Sequence, residues 1–276
     1  MTFKLKFWGV RGSIACASPD HVVYGGNTSC VEVNVGGRHI VLDAGTGIRA
    51  LGHSFLRGQV SRAVLLLTHT HWDHINGFPF FAPAFLAGKA FDIRAGHLSD
   101  SGGIRSILEG QMANPMFPVP LSAMKANLTF LDFRAGESFR LYDDVLVRTA
   151  RLNHPNEATG YRIDYDGVSL CYVTDTEHIP GQLDQNVLNL IENTDLFIYD
   201  CTYSDAEYPA RVGWGHSTWE EGVRLSRAAN VKRLVIFHHD PEHDDTYMAH
   251  LEDEARLLWG NILIARDNME LTLQRR

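Results

Sequence analysis

Five apolar residues and the seven that follow them constrain this chain more than anything else in it. Residues 63–67 (Ala-Val-Leu-Leu-Leu) carry no polar side chain and read as a buried strand. Thr68-His69-Thr70-His71-Trp72-Asp73-His74 follow directly. A core strand therefore ends in four side chains able to bind a metal. His69 and His71 are two apart and project to the same side of an extended chain. Asp73 and His74 sit where the chain leaves the strand. Neutral imidazoles with a carboxylate suit Zn²⁺, Mn²⁺ or Fe²⁺, and no thiolate-rich alternative is present. A polar loop with coincidental histidines would need four potential ligands in six residues at one strand end.

One cluster does not complete a site, and further candidates fall at other strand ends. His154 follows the strand expected at 145–150, Asp175 ends the one at 168–173, and His238 ends the one at 234–237. Open α/β sheets place their sites at such termini. His239 is an alternative to His238, which is preferred because Phe237-His238 leaves its strand as Thr68-His69 does. Taken alone, each of these is as readily a turn or cap residue; their shared placement makes them candidates together.

The rest of the chain suits a layered α/β fold. Gly36-Gly37 and Asp166-Gly167 are hairpin turns between apolar runs. Helices are expected at 48–56, 104–111, 183–192, 217–229 and 242–259, the fourth opening on a capping box of Ser217 with Glu220 or Thr218 with Glu221. Residues 77–127, rich in proline and aromatics, read as a largely irregular insert. At 276 residues the chain is one domain with that insert. Its net charge of -8 and lack of a long basic run argue against broad binding to nucleic acid or acidic lipid. No apolar stretch is long enough to span a membrane or to act as a signal peptide, so a cytoplasmic location is expected. The four scattered cysteines then read as reduced, small apolar residues.

His-x-His-x-Asp-His at 69–74, followed by a distant His154, Asp175 and His238, resembles the metallo-β-lactamase superfamily. The resemblance spans most of the chain, from Asp43-Ala-Gly-Thr-Gly47 to His238. It implies an αββα four-layer sandwich with two divalent metals, Zn²⁺ first and Mn²⁺ or Fe²⁺ as alternatives, at one edge. His69, His71 and His154 would hold one metal; Asp73, His74 and His238 the other; Asp175 would bridge them. Asp43 would support these ligands by accepting a hydrogen bond. The acidic ligands Asp73 and Asp175 set the chain apart from the best-known true β-lactamases, which use a cysteine.

Two such metals can supply a bridging hydroxide near neutral pH and clamp the oxygens of a displacement at phosphorus. A leaving alkoxide still needs a proton. Trp214-Gly215-His216-Ser217-Thr218 and Tyr199-Asp200-Cys201 resemble the phosphodiesterase branch, in which a histidine of a GHST-like turn, backed by an acid, is the proton donor. His216, Asp200 and Asp73 are thus the expected catalytic residues. The family usually has a glutamate where Asp200 stands. Arg11, in Gly9-Val-Arg-Gly-Ser13, is the expected contact to a substrate phosphate.

The acidic charge, the aromatic insert read as a lid or wall, and the absence of a long tRNA-gripping arm favour a small phosphodiester, such as a cyclic nucleotide or cyclic phosphate. The alternatives are a tRNA 3′-processing-type endonuclease, a glyoxalase-type thioester hydrolase and a non-catalytic metal-binding module. A small-molecule partner is expected, no membrane, and a large nucleic acid less readily; the fold is compatible with a homodimer.

Overall fold

The computed structural model describes residues 2–98 and 102–275. Strands β1 (Phe3–Gly9), β2 (Cys30–Val35), β3 (Arg38–Leu42), β4 (Arg62–Leu67), β5 (Ala90–Ala95) and β6 (Asn127–Asp132) lie side by side in that order. A second sheet holds β7 (Ser138–Leu141), β8 (Val145–Leu152), β9 (Ala158–Tyr165), β10 (Val168–Val173), β11 (Leu196–Asp200), β12 (Leu234–Phe237) and β13 (Ile262–Ile264), also in sequence order. The last strand, β14 (Glu270–Leu273), returns to pair antiparallel with β1. The helices are α1 (Ile48–Arg57), α2 (Trp72–Ile75), α3 (Gly103–Gln111), α4 (Gln185–Ile191), α5 (Trp219–Ala228) and α6 (Asp245–Leu258).

Alternation along the central strands builds the layers. Val64 and Leu66 of β4 face the other sheet, in a core shared with Phe7, Tyr161, Ile198 and Phe237. Ala63, Leu65 and Leu67 face the opposite way, against Leu51 and Phe55 of α1 and Ile104 and Leu108 of α3. In β11 and β12, Ile198 and Val235 point between the sheets, while Phe197 and Ile236 pack with Val187, Val223 and Met248 of α4, α5 and α6. A strand covered on both faces has no place for a polar side chain, since each unpaired one would cost about 1–3 kcal/mol. That is why the run before His69 is wholly apolar. Three stacked cores make four layers, helices outside two sheets, as the resemblance implies.

The turns follow local chemistry. Gly36 and Gly37 have φ of +60° and +84°, and Asp166 and Gly167 +51° and +74°, the paired left-handed residues of a tight hairpin. Of the two capping boxes, Thr218 is the N-cap of α5, accepting from the Glu221 N–H. All four cysteines are unpaired. No helix among the described residues is long and apolar enough to cross a membrane.

Residues 77–127 are more regular than the sequence suggests. Residues 90–95 form β5, parallel to both β4 and β6 and completing the first sheet. Phe78, Phe81 and Met112 are buried against that sheet and α1, so most of the aromatics fill a core. One edge of the stretch does reach α2, where Gln111 Nε2 donates to the Ile75 carbonyl at 2.9 Å.

β3, β4, β5 and β6 run parallel, as do β10, β11, β12 and β13. Their carboxyl ends carry Asp43, His69, His97, Asp175, Asp200 and His238 to one edge of the sandwich, where ligand sites of such sheets lie.

Candidate active site

His69 leaves β4, His71 caps α2, and Asp73 and His74 lie within its single turn. The remaining candidates arrive from the second sheet. The fold sorts them into two groups whose ligand atoms lie within 4.8 Å of one another: His69, His71 and His154, and Asp73, His74, Asp175 and His238. All but His71 are buried, or in the case of His154 half-buried at the backbone with a buried ring.

Asp175 joins the groups. Its Oδ1 lies 3.7 Å from His69 Nε2 and 3.8 Å from His154 Nε2; its Oδ2 lies 3.1 Å from His74 Nε2 and 3.3 Å from His238 Nε2. One carboxylate thus presents an oxygen to each set. The Nε2 atoms of His69 and His74 are buried with no hydrogen-bond partner. Orphaned buried nitrogens are rare unless an ion or water completes them. Burial pushes the His69 and His154 imidazoles down and keeps them neutral, the form that binds metal. The donor set and its unsatisfied atoms fit two divalent cations.

Hydrogen bonds behind these side chains fix their aim. His74 Nδ1 lies 2.8 Å from Asp43 Oδ2, and Asp43 also accepts from Thr68 N, Thr68 Oγ1 and Tyr172 Oη. His154 Nδ1 donates to the Gly215 carbonyl at 2.8 Å, turning Nε2 to the cluster. His238 Nδ1 meets Thr202 Oγ1 at 3.0 Å. Asp43, Asp175 and His238 have φ of +60°, +59° and +62°. Such strain persists only where the surroundings enforce it, and it concentrates at functional sites.

His216 stands beside both groups. Its Nδ1 lies 3.0 Å from Asp200 Oδ2, and its ring stacks on His238 with centroids 4.9 Å apart. Burial pushes the His216 imidazole down, but the charge and hydrogen bond of Asp200 outweigh it and raise it to about 9. The pairing with Asp200 favours the imidazolium, the form able to give a proton. Asp200, His216 and His238 are also close enough to count as a ligand group. Asp200, however, is already spent on Thr202 Oγ1, Thr176 N and His216, which makes it a partner for imidazolium.

Two expectations resolve differently. Arg11 does not face a substrate: it is fully buried, with Nε donating to the Gly25 carbonyl at 2.7 Å and Nη1 to those of Asp240 and His243 at 2.9 and 2.7 Å. Its guanidinium pins two loops together. His239 turns away from the cluster and bonds the Ala265 carbonyl at 2.8 Å, leaving His238 as the one that enters it.

Other contributors are ones that sequence reasoning does not single out. Ser13 N donates to Asp73 Oδ2 at 2.8 Å. A Cβ on Gly12 would come within 2.4 Å of the His238 ring, so the glycine lets this turn pack directly on the histidine. His97, beyond β5, contacts Thr70 Oγ1 at 3.2 Å through Nε2. Glu177 accepts from Gly213 N and Gly215 N, holding the turn before His216. Their signals are a histidine after an alternating Phe91-Ile93-Ala95 run, and a glutamate two residues past Asp175.

A model of the β-lactamase superfamily domain matches residues 38–239, a span that contains both ligand groups and His216. The chain belongs to the metallo-β-lactamase superfamily. It is similar to Ribonuclease Z of Clostridium perfringens, at 24% identity over 89% of this chain and 92% of that protein. Among solved structures it resembles a diphosphatase from the PhnP family (TM-score 0.72, 18% identity, 99% and 98% of the two chains). It also resembles the short form of human tRNase Z (TM-score 0.69, 18% identity, 99% and 100%). Within the superfamily the chain is a metallo-hydrolase.

Proposed function

We propose that this metallo-hydrolase cleaves phosphodiester bonds in RNA, with His69, His71 and His154 holding one divalent ion, Asp73, His74 and His238 a second, and Asp175 bridging them. The observation that carries the reaction type is the His216–Asp200 pair set against the ligand groups. Zn²⁺ is the ion the nitrogen-rich set suits first, with Mn²⁺ or Fe²⁺ as alternatives. Bound there, divalent ions supply charge neutralisation for a phosphate and a water acidic enough to attack near neutral pH.

The chain's own residues account for the rest. Asp43, Thr202, Gly215 and Ser13 hold the ligands in place, so little reorganisation is left to the moment of reaction. His216, kept protonated by Asp200, gives its proton to the departing oxygen. Asp200 steadies the ring and stays ionised. Thioester cleavage would have less use for this donor, because a thiolate leaves without one.

The RNA substrate is supported by the ribonuclease Z relatives, which match this chain along nearly its whole length. They shift the balance away from the small cyclic substrate that the acidic composition suggests. That second reading keeps one observation in its favour, the net charge of -8 without a long basic run. A metal-lined cleft can nonetheless invert the local charge.

The test is an assay of the metal-loaded protein on a precursor tRNA with a 3′ extension, a cyclic nucleotide, bis-p-nitrophenyl phosphate and a thioester, repeated with His216→Ala. Phosphodiester cleavage that drops roughly 100-fold or more in the variant, at unchanged metal content, is expected. Thioester cleavage indifferent to His216 would sink the reading. Turnover of the cyclic nucleotide but not the RNA would select the small-substrate alternative.

A further inference from the structure

With Arg11 buried, the question becomes which cation meets the substrate. Arg211 lies four residues before Gly215. Its guanidinium carbon sits over the Trp214 ring at 4.9 Å from the centroid and over the Tyr203 ring at 5.8 Å. The Tyr203 ring is in turn 6.1 Å from that of His216. Arg211 is therefore two ring contacts from the proton donor, on the leaving-group side of the site.

No hydrogen bond or ion pair joins this guanidinium to any described residue. Three carboxylates of the surrounding loops are engaged elsewhere. Asp205 is paired with Arg224 and Thr218, Glu207 with Ser204, His243 and Tyr247, and Glu177 with the N–H groups of Gly213 and Gly215. Arg224, on α5, shows the contrast: Asp205 and Glu221 saturate it.

The setting is rigid and open. Trp214 N donates to the Arg211 carbonyl at 3.1 Å, closing a turn that Glu177 holds from below. Tyr203 is buried, whereas the Trp214 indole is 59% exposed. Ring faces hold a guanidinium flat while leaving its N–H fork free, the arrangement that grips a phosphate through two parallel bonds. An exposed indole offers a sequence-tolerant stacking face for a base.

We propose that Arg211 and Trp214 form a subsite for the nucleotide that carries the leaving oxygen, with its further phosphate on the guanidinium and its base on the indole. The proposal rests on the phosphodiesterase reading above and narrows its substrate class. A cyclic mononucleotide has one phosphate, which the reaction centre occupies, and so cannot fill this subsite; an oligonucleotide can.

Two measurements test it. In the first, the metal-loaded protein is assayed on the dinucleotide ApA and on the same dinucleotide with a phosphate at each end. The end-phosphorylated form has the lower KM, and Arg211→Ala raises that KM roughly 10- to 100-fold while leaving kcat and the ApA reaction unchanged. Arg211→Lys recovers only part of the loss, since an ammonium cannot reproduce the stacked fork. Trp214→Ala raises KM for both dinucleotides.

In the second, calorimetry compares adenosine 3′,5′-bisphosphate with the two adenosine monophosphates. None contains a diester, so this reads the subsite whether or not a diester is turned over. A bisphosphate preference abolished by Arg211→Ala, in a protein that cleaves no diester, supports the subsite and sinks the assigned reaction. A bisphosphate that binds no tighter than either monophosphate overturns the subsite. So does an Arg211→Ala variant, folded by its melting curve, that weakens all three ligands equally.

Discussion

The Gly215 carbonyl accepts a hydrogen bond from His154 Nδ1 at 2.8 Å, so the turn that presents the proposed proton donor also aims a candidate metal ligand. No residue but glycine fits there. Its φ is +85°, and a Cβ would lie 2.5 Å from His154 Nδ1 and 2.6 Å from Pro155 Cδ. Gly215→Ala is expected to push His154 off its partner, cutting metal content from two ions per chain toward one. Activity is expected to fall by about 100-fold, the usual cost of an ångström-scale misplacement. Elemental analysis beside kcat checks this; full metal content with full activity counts against it.

Much of this arrangement is legible in the amino-acid sequence. The apolar run into His69, the hairpin glycines and the strand-terminal His154, Asp175 and His238 follow from period and position alone. Other features depend on pairings that no local pattern carries. Arg11 reads as exposed because its acceptors on Asp240 and His243 lie more than two hundred residues away. β5 is hidden because Asp92 and Arg94 interrupt its apolar run beside a proline-dense stretch, although Phe91, Ile93 and Ala95 alternate as a half-covered strand should. Arg211 carries no motif; its lack of an ion pair among the described residues is a fact of three dimensions.

Metal removal should cost stability as well as activity. Buried imidazole nitrogens and two buried carboxylates lose their compensation when the ions leave. A ligand present at about a thousand times its Kd stabilises the folded state by about 4 kcal/mol. Chelation is therefore expected to lower the melting temperature by several degrees, with recovery on adding Zn²⁺ or Mn²⁺. Differential scanning calorimetry reads the shift. A melting curve indifferent to chelator, in protein shown to have been loaded, would contradict the assignment of these residues as ligands.

Arg11 separates a structural role from a substrate role. Arg11→Ala leaves three loop carbonyls without their donor, at about 1–3 kcal/mol for each group that stays buried and unpaired. Urea unfolding should show a loss of about 3 kcal/mol or more, with KM of the remaining folded protein unchanged. Arg11→Lys does not rescue, because one ammonium cannot span carbonyls on opposite loops. The reverse pattern, intact stability with a raised KM, would return Arg11 to the substrate.

The His216–Asp200 pair makes a prediction about pH whose sign can be worked out. Burial alone would depress the imidazole; Asp200 reverses this, with Asp175 and Asp73 adding, and raises it to about 9. Burial likewise pushes the Asp200 carboxyl up, and the charge of His216 outweighs it and holds it down. A histidine whose folded value is raised contributes stability that is full below its unfolded value of about 6.5 and lost as pH rises through the folded one. In the proposed reaction the same proton is the one delivered to the leaving group. Stability of the metal-free protein should therefore decline as pH rises through about 9, and kcat/KM of the loaded protein should show its alkaline limb below that, because bound cations disfavour the imidazolium. Asp200→Asn removes the largest stabilising influence on the imidazolium, so burial regains the upper hand and the alkaline limb should move to lower pH. A kcat/KM profile on an unactivated diester, which needs the donor most, resolves the limb. An unmoved limb in Asp200→Asn would mean that some other group supplies the proton.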